Sequence, residues 1–249
     1  MARLTKSFKG VWFILKTLPV FILRQTPYRN ADVILTGLSP EGYLTIQARG
    51  ALKMTSPFQA MVSLGAWSEL TINQSKQKAY LEKANLISFA PLPDREGLLA
   101  SLAMQTILQV LLIDEEIDNA PALYQRLVEV RKHMDNALSS YIQFLVLYLE
   151  DQGVPIIVDY CVNCQNKLKI VGMNTQLGGF ICQPCFEKVS GALLSANALK
   201  LMRTIKHQSF QGSLDQSLVK MLLPLVHEHF NFHLDIRLAG FKTIETFLP

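Results

Sequence analysis

The sequence predicts an α+β chain of several domains: a small N-terminal β-barrel, then an α-helical domain interrupted by a four-cysteine metal module. Three observations carry this. Short β-rich runs separated by turn signals fill residues 10–83. Near residue 90 the apolar spacing changes from strand-like to helical. All four cysteines lie in "CVNCQNKLKIVGMNTQLGGFICQPC", residues 161–185, as two Cys-x-x-Cys knuckles. The boundaries implied are 1–85 for the barrel, 86–158 and 189–249 for the two parts of the helical domain, and 159–188 for the cysteine module.

The first domain rests on GVWFIL, VFILRQ, ADVILTGL, GYLTIQARG and WSELTINQ, all rich in Val, Ile, Leu, Thr and aromatics. "SPEG" at 39–42 is a turn, with Gly42 able to take positive φ. "YLTIQARG" alternates apolar and polar, as a half-buried strand does. Five short strands suit a small closed barrel, which leaves no exposed edge. An SH3-like barrel or a small sandwich fits the same pattern.

"APLPDREG" is the linker out of that domain, with Asp94 as a helix N-cap. Beyond it Leu98, Leu99, Leu102, Ile107, Leu108, Leu111 and Leu112 recur at helical spacing. Asn119 with Pro121 starts a second helix, and "ALSSYIQFLVLYLEDQG" is a third that stops at Gly153 before Pro155. After the cysteines, "LSANALKLMRTIKH" and "SLDQSLVKMLLPLVHEHFNFHLDI" return to helix, with Pro224 a kink or boundary.

Hydrophobic residues make up 49% and charged residues 18%, the balance of a globular chain. The net charge of +4 is unevenly placed. Residues 1–83 hold 11 of the 24 Lys and Arg but 4 of the 20 Asp and Glu, a net +7, which leaves −3 for the rest. The N-terminal domain therefore favours a polyanion. Lys16 and Pro19 interrupt the apolar start, and no small-x-small cleavage site follows, so a signal peptide is not expected. No charge-free apolar run reaches membrane-spanning length, and unexported cysteines suit a reducing compartment. The expected location is cytoplasmic.

Cys161 and Cys164 are two residues apart, as are Cys182 and Cys185, and 17 residues separate the knuckles. This is the spacing of a four-thiolate zinc site. Each knuckle aims two sulfurs from one tight turn, and a hairpin through "KLKIVGM" and "GGFIC" folds the second pair against the first. Four thiolates close a tetrahedron and leave no open position for a bound water, so one structural Zn2+ is expected and not a catalytic one. An Fe(Cys)4 centre uses similar ligands.

The candidate DNA-binding residues are Arg24, Tyr28, Arg29, Arg49, Lys53, Lys76 and Lys78, cations for phosphates with an aromatic platform for bases. Tyr43, Phe58 and Trp67 are further platforms, although each ring alone is better read as core. "RGALKMTS" at 49–56 is the sharpest local signal, with basic residues and hydroxyls beside a glycine. His227, His229 and His233 cluster in "HEHFNFH" without an acidic partner in pattern, and are read as packing or contact residues. The sequence contains no G-x-x-x-x-G-K-[ST], G-x-G-x-x-G or G-x-S-x-G motif and no paired-carboxylate pattern, so no catalytic residues are assigned and no enzyme is expected.

The order of these parts resembles the RecO family of bacterial recombination mediators. The stretches that carry it are "YRNADVILTGLSPEG" (28–42), "ARGALKMTS" (48–56), "LYLEDQGVPIIVDYCVNC" (147–164), "GGFICQPC" (178–185) and the tail "HLDIRLAGFKTIETFLP" (233–249). The first 17 residues or so exceed that family's usual short start, and Asn30 and Ala31 stand where an acidic residue is expected.

The resemblance implies an N-terminal OB-fold, a helical domain with an inserted zinc ribbon, and a tail lying against the helices. It also implies a non-enzymatic protein that binds single- and double-stranded DNA and anneals complementary strands. Its expected partners are RecR and the single-strand-binding protein, with RecA loading as the indirect result. Two rivals stand beside it: a zinc-ribbon adaptor of transcription or translation whose main ligand is protein, and an enzyme with a reactive cysteine.

Overall fold

In the computed structural model, residues 3–6, 12–74, 78–88, 95–113, 119–207 and 214–247 are described. The chain forms two compact units. One comprises Met1–Pro91 with Leu108–Gln125, the other Leu92–Ile107 with Arg126–Pro249.

The sheet of the first unit contains β1 (Arg3–Lys6), β2 (Trp12–Tyr28), β3 (Asp32–Ser39), β4 (Gly42–Ala48), β5 (Trp67–Gln74) and β6 (Ala79–Ser88). The two runs expected as separate strands, GVWFIL and VFILRQ, are one 17-residue strand that passes through Pro19. At Pro19 the strand is paired with Glu69 of β5 alone, since the β1 ladder ends at Leu15 and the β3 ladder begins at Phe21. A strand proline is tolerated where one side carries no ladder. The ring therefore needs another strand, and β6 supplies it. Its burial is weak, with only Leu81 buried, so it lacks the alternation that marks a strand in sequence.

Pairings run β2-β3-β4-β6-β5 and back to β2. This is the strand order of an OB-fold. The expected full closure gives way to a partly open barrel: β4 meets β6 in parallel through one pair, Gln47 with Tyr80. Inside lie Val20, Ile22, Val33, Leu35, Ile46 and Leu70, all fully buried. Residues 108–113 and 119–125 belong to this unit as well. The Tyr43 hydroxyl donates to the Leu111 carbonyl at 2.8 Å, and Trp67 Nε1 to the Tyr124 hydroxyl at 3.1 Å.

The helices are α1 (Arg95–Leu111), α2 (Ala120–Lys132), α3 (Ala137–Asp151), α4 (Gln183–Phe186), α5 (Ala196–His207), α6 (Gln216–Leu234) and α7 (Ala239–Phe247). The N-cap expected at Asp94 lies outside the described residues. In the second unit α3 is buried on nearly every side, with Tyr141, Phe144 and Tyr148 fully enclosed. It ends at Gly153, whose φ of 74° is the left-handed stop a glycine permits. Helix α6 is capped by Asp215, which accepts from the Ser217 and Leu218 amides. It continues through Pro224, where a kink or boundary was expected. Pro224 is exposed, while Leu222, Leu223, Val226 and Phe230 anchor the helix on its buried side. Between α3 and α5 a three-stranded sheet is inserted: β7 (Ile170–Asn174), β8 (Gly179–Cys182) and β9 (Ala192–Leu193). Among the described residues no helix is long and apolar enough to cross a membrane.

Candidate nucleic-acid interface and metal centre

The two knuckles bring the sulfurs of Cys161, Cys164, Cys182 and Cys185 within 4.8 Å of one another. The Cys164–Cys182 separation is 3.6 Å. A tetrahedron with metal–sulfur bonds of about 2.3 Å has sulfur–sulfur edges of roughly 3.8 Å, so the four thiols fit one ion. The first knuckle is a tight turn in which the Gln165 amide donates to the Cys161 carbonyl at 2.7 Å, with Gln165 at φ 62°. The second opens α4, and the Asn163 side chain donates to Cys185 Sγ at 3.3 Å. Burial opposes the thiolate of Cys161, but the amides of Cys182, Asn163 and Cys164 point at it and bring its pKa down to about 6. Burial, with the neighbouring sulfurs, pushes Cys182 up to about 12. Four sulfurs this close cannot all ionise without a cation among them.

The module is clamped by carbonyl-seeking side chains. Arg203 Nε of α5 donates to the Val158 carbonyl at 3.1 Å, with its guanidinium 5.1 Å from the Phe180 ring centroid. His229 Nε2 donates to Val154 O at 2.9 Å, and His233 Nε2 to Thr175 O at 2.8 Å. His227 is bonded to Glu245 of α7 at 2.6 Å. The three histidines of "HEHFNFH" thus tie α6 to the module's two flanks and to α7. They are packing residues.

On the barrel, the ladder registers define an outer face. One row is Arg24, Thr36, Thr45; the next is Thr26, Ile34, Gln47, Tyr80. Tyr28 pairs with Asp32 at the end of the sheet. Arg49 follows β4 two residues after Gln47, and its guanidinium lies 4.4 Å from the Tyr80 ring centroid. Arg29 lies 5.0 Å from the ring of Tyr28. Asp32 sits between the two arginines. It accepts from the Gly50 amide at 2.8 Å and from Gln47 Nε2 at 3.0 Å. The Gly50 amide holds its pKa below the ordinary carboxylate value, partial burial opposes this, and Gln47, Arg29 and Arg49 assist. Lys53 follows on the same turn, where Gly50 takes φ 64°.

Of the predicted residues, Arg24, Tyr28, Arg29, Arg49, Lys53 and Lys78 are exposed. Arg24 also donates to Thr36 Oγ1 at 3.3 Å. Lys76 lies outside the described residues. Among the other rings, Trp67 stacks on Phe21 at 5.0 Å, Phe58 packs on the core and Tyr43 is tied to Leu111, so none presents an open face like Tyr28's. The sequence reading missed Asp32, Gln47 and Tyr80. The alternation of "YLTIQARG" already places Thr45, Gln47 and Arg49 on one face; nothing comparable pointed to Tyr80, because its strand was not legible.

A partly open OB-type barrel with a cationic outer face, joined to a helical unit carrying a four-thiol module, defines the class of protein. The comparisons narrow it. The family model "Recombination protein O N terminal" matches residues 15–90, and "Recombination protein O C terminal" matches 92–240. The chain belongs to the recombination protein O family, RecO, and its role lies in DNA repair and recombination. The DNA repair protein RecO of Dehalococcoides mccartyi is 29% identical over 198 residues, 77% of this chain and 78% of the relative. That of Syntrophomonas wolfei is 27% identical over 190 residues, 73% and 74% of the two chains. The Bacillus pumilus protein is 29% identical over 188 residues, 73% of each.

Proposed function

We propose that this chain is a non-enzymatic recombination mediator that binds single- and double-stranded DNA and anneals complementary strands. With RecR it would promote RecA loading onto DNA coated by single-strand-binding protein, in the cytoplasm at the nucleoid. The observation that carries the DNA-binding part is the convergence of Arg24, Arg29, Arg49, Lys53 and Lys78 around one face of an OB-type barrel in a RecO-family chain. Such a face neutralises phosphates without needing any reacting group. The four-thiol module holds one Zn2+ in this reading, a closed site that contributes folding free energy and no chemistry.

The test is strand binding across a salt series, followed by annealing with and without single-strand-binding protein. Affinity falls steeply with salt, and neutralising Arg49 and Lys53 together lowers the magnitude of the log–log slope by about 1.4 for single strands. Salt-independent binding, or annealing that needs neither residue, overturns the assignment.

A further inference from the structure

The outer face of the barrel holds a cavity of about 270 Å³ lined by Tyr28, Ile34, Thr45, Gln47, Lys78 and Ala79. It lies beside the seam where β4 and β6 share the single pair of Gln47 and Tyr80, with Gln47 of β4 and Ala79 of β6 both in its lining. Its lining is chemically mixed in a particular way. Ile34 supplies an apolar surface and Tyr28 an aromatic one, while Thr45 and Gln47 offer hydrogen-bonding groups. The amide of Gln47 is not free to turn: its Nε2 is held by Asp32 at 3.0 Å, which leaves Oε1 as an acceptor. Tyr28 is 37% exposed and is steadied by the neighbouring Arg29.

An apolar floor, a ring for stacking and a few edge groups match a planar heterocycle. The cations around the rim, Arg29, Arg49 and Lys78, match phosphates on either side of it. We propose that this cavity is a base slot: one unpaired nucleobase of a single strand enters it and stacks on Tyr28, while the flanking phosphates lie on the rim. This rests on the proposed function and deepens it, because a slot of this kind gives the barrel a preference that phosphate contacts alone lack. Bases in a duplex are paired and stacked, and cannot enter without being flipped out. An unpaired strand enters at no such cost, and any base will serve because each has a π-face. The slot therefore separates single strands from duplexes without reading sequence.

The test uses the full chain and two labelled strands of equal length, oligo-dT and a strand of abasic sites, which carry the same phosphates. The wild-type protein binds oligo-dT roughly tenfold more tightly than the abasic strand. Tyr28→Phe keeps that preference. Tyr28→Ala abolishes it while leaving affinity for the abasic strand and its salt slope unchanged. Thr45→Met, which extends a side chain without a π-face into the cavity from an exposed position, lowers it. Equal binding of the two strands by the wild-type protein, or a Tyr28→Ala effect that is the same on both, overturns the slot and leaves the phosphate-binding face standing. Absence of binding to either strand overturns the proposed function along with it.

Discussion

The guanidinium of Arg49 lies 4.4 Å from the ring centroid of Tyr80, across the one seam where β4 and β6 meet. The ring holds a long cationic side chain in place next to Arg29 and Asp32. Otherwise Arg49 would have to be ordered by the DNA itself, at the cost of its rotamer entropy. Tyr80→Leu removes this support without changing any charge. DNA affinity then falls by roughly two- to fivefold, the scale of an exposed cation–π contact, with the salt slope unaltered. A change in the slope would mean that Tyr80 acts through a phosphate contact and not through Arg49.

In the proposed DNA complex Asp32 works against binding by its charge and for it by its geometry. Its carboxylate accepts from Gly50 and Gln47, and so fixes the turn that presents Arg49 and Lys53. Asp32→Asn keeps an acceptor for Gly50 and removes a negative charge between two arginines, so the variant binds DNA more tightly than the wild-type protein. Asp32→Ala removes the charge and the anchor together, and binds more weakly than the Asn variant. Its 49–65 turn is also cut faster at Lys53 by trypsin. Equal affinity of the two variants would remove the anchoring role.

The four-thiol module and the proposed DNA-binding face belong to different units, and their losses should be separable. Replacing Cys161 with Ser leaves three thiols around the ion and loosens a small sheet whose own core is confined to Ile181 and a few partners. We expect loss of bound metal and a decrease of about 2 kcal/mol or more, roughly 4–8 °C in Tm at this chain length. Affinity for DNA per folded molecule stays within about twofold, since the cationic face keeps its charges. A chelator acting on the wild-type protein reproduces the thermal shift. Loss of DNA affinity with the fold intact would instead join the module to the binding surface.

Parts of this molecule were legible because one physical demand dictates them. Four thiolates around an ion need paired Cys-x-x-Cys turns, and the structure brings those four sulfurs together. The helices after residue 95 show themselves by length, apolar spacing and stop signals: α5 and α6 bury one side, while α3 is apolar nearly all round and ends at Gly153. β6 was hidden because it buries little beyond Leu81, and a strand at the open seam of a barrel with so little buried leaves no alternation to read. The two runs expected on either side of Pro19 are one strand, because proline is compatible with a strand position that has one neighbour. Tyr28 and Trp67 are equally aromatic in sequence. Only the fold separates them, by stacking Trp67 on Phe21 and leaving Tyr28 on the rim of a cavity.

The glycine pair that enters the second knuckle has a steric basis at Gly179. A Cβ there would stand 2.2 Å from the carbonyl oxygen of Ile157, a backbone atom that cannot step aside. The Ile157 amide and carbonyl also bond Gly178 and Phe180, at 2.9 and 2.8 Å, so the approach is fixed on both sides. Gly179→Ala therefore costs about 1–3 kcal/mol, in the range of overpacked sites, read as a lower urea midpoint of the metal-loaded protein. Gln176→Ala, at an exposed position in the same turn, leaves the midpoint unchanged.

His229 makes the stability of the helical unit depend on pH. Burial is the main cause of its low pKa of about 4; electrostatic repulsion from the neighbouring His233 adds to it, and bonds to the carbonyls of Val154 and Thr175 partly offset it. Its Nδ1 is buried without a partner among the described residues, so a second proton there has nothing to bond. The unfolded chain takes up that proton near pH 6.5, well before the folded protein does. The stabilisation is therefore complete above pH 6.5 and is lost as the pH falls from 6.5 towards 4. Between pH 7.5 and pH 5 this amounts to about 2 kcal/mol. Urea unfolding at the two pH values measures it. His229→Gln, whose amide can still donate to Val154, is less stable at pH 7.5 but loses about 2 kcal/mol less on acidification than the wild-type protein. An identical acid loss in the two proteins would assign the pH dependence to other groups, His227 first among them, since burial lowers its pKa as well.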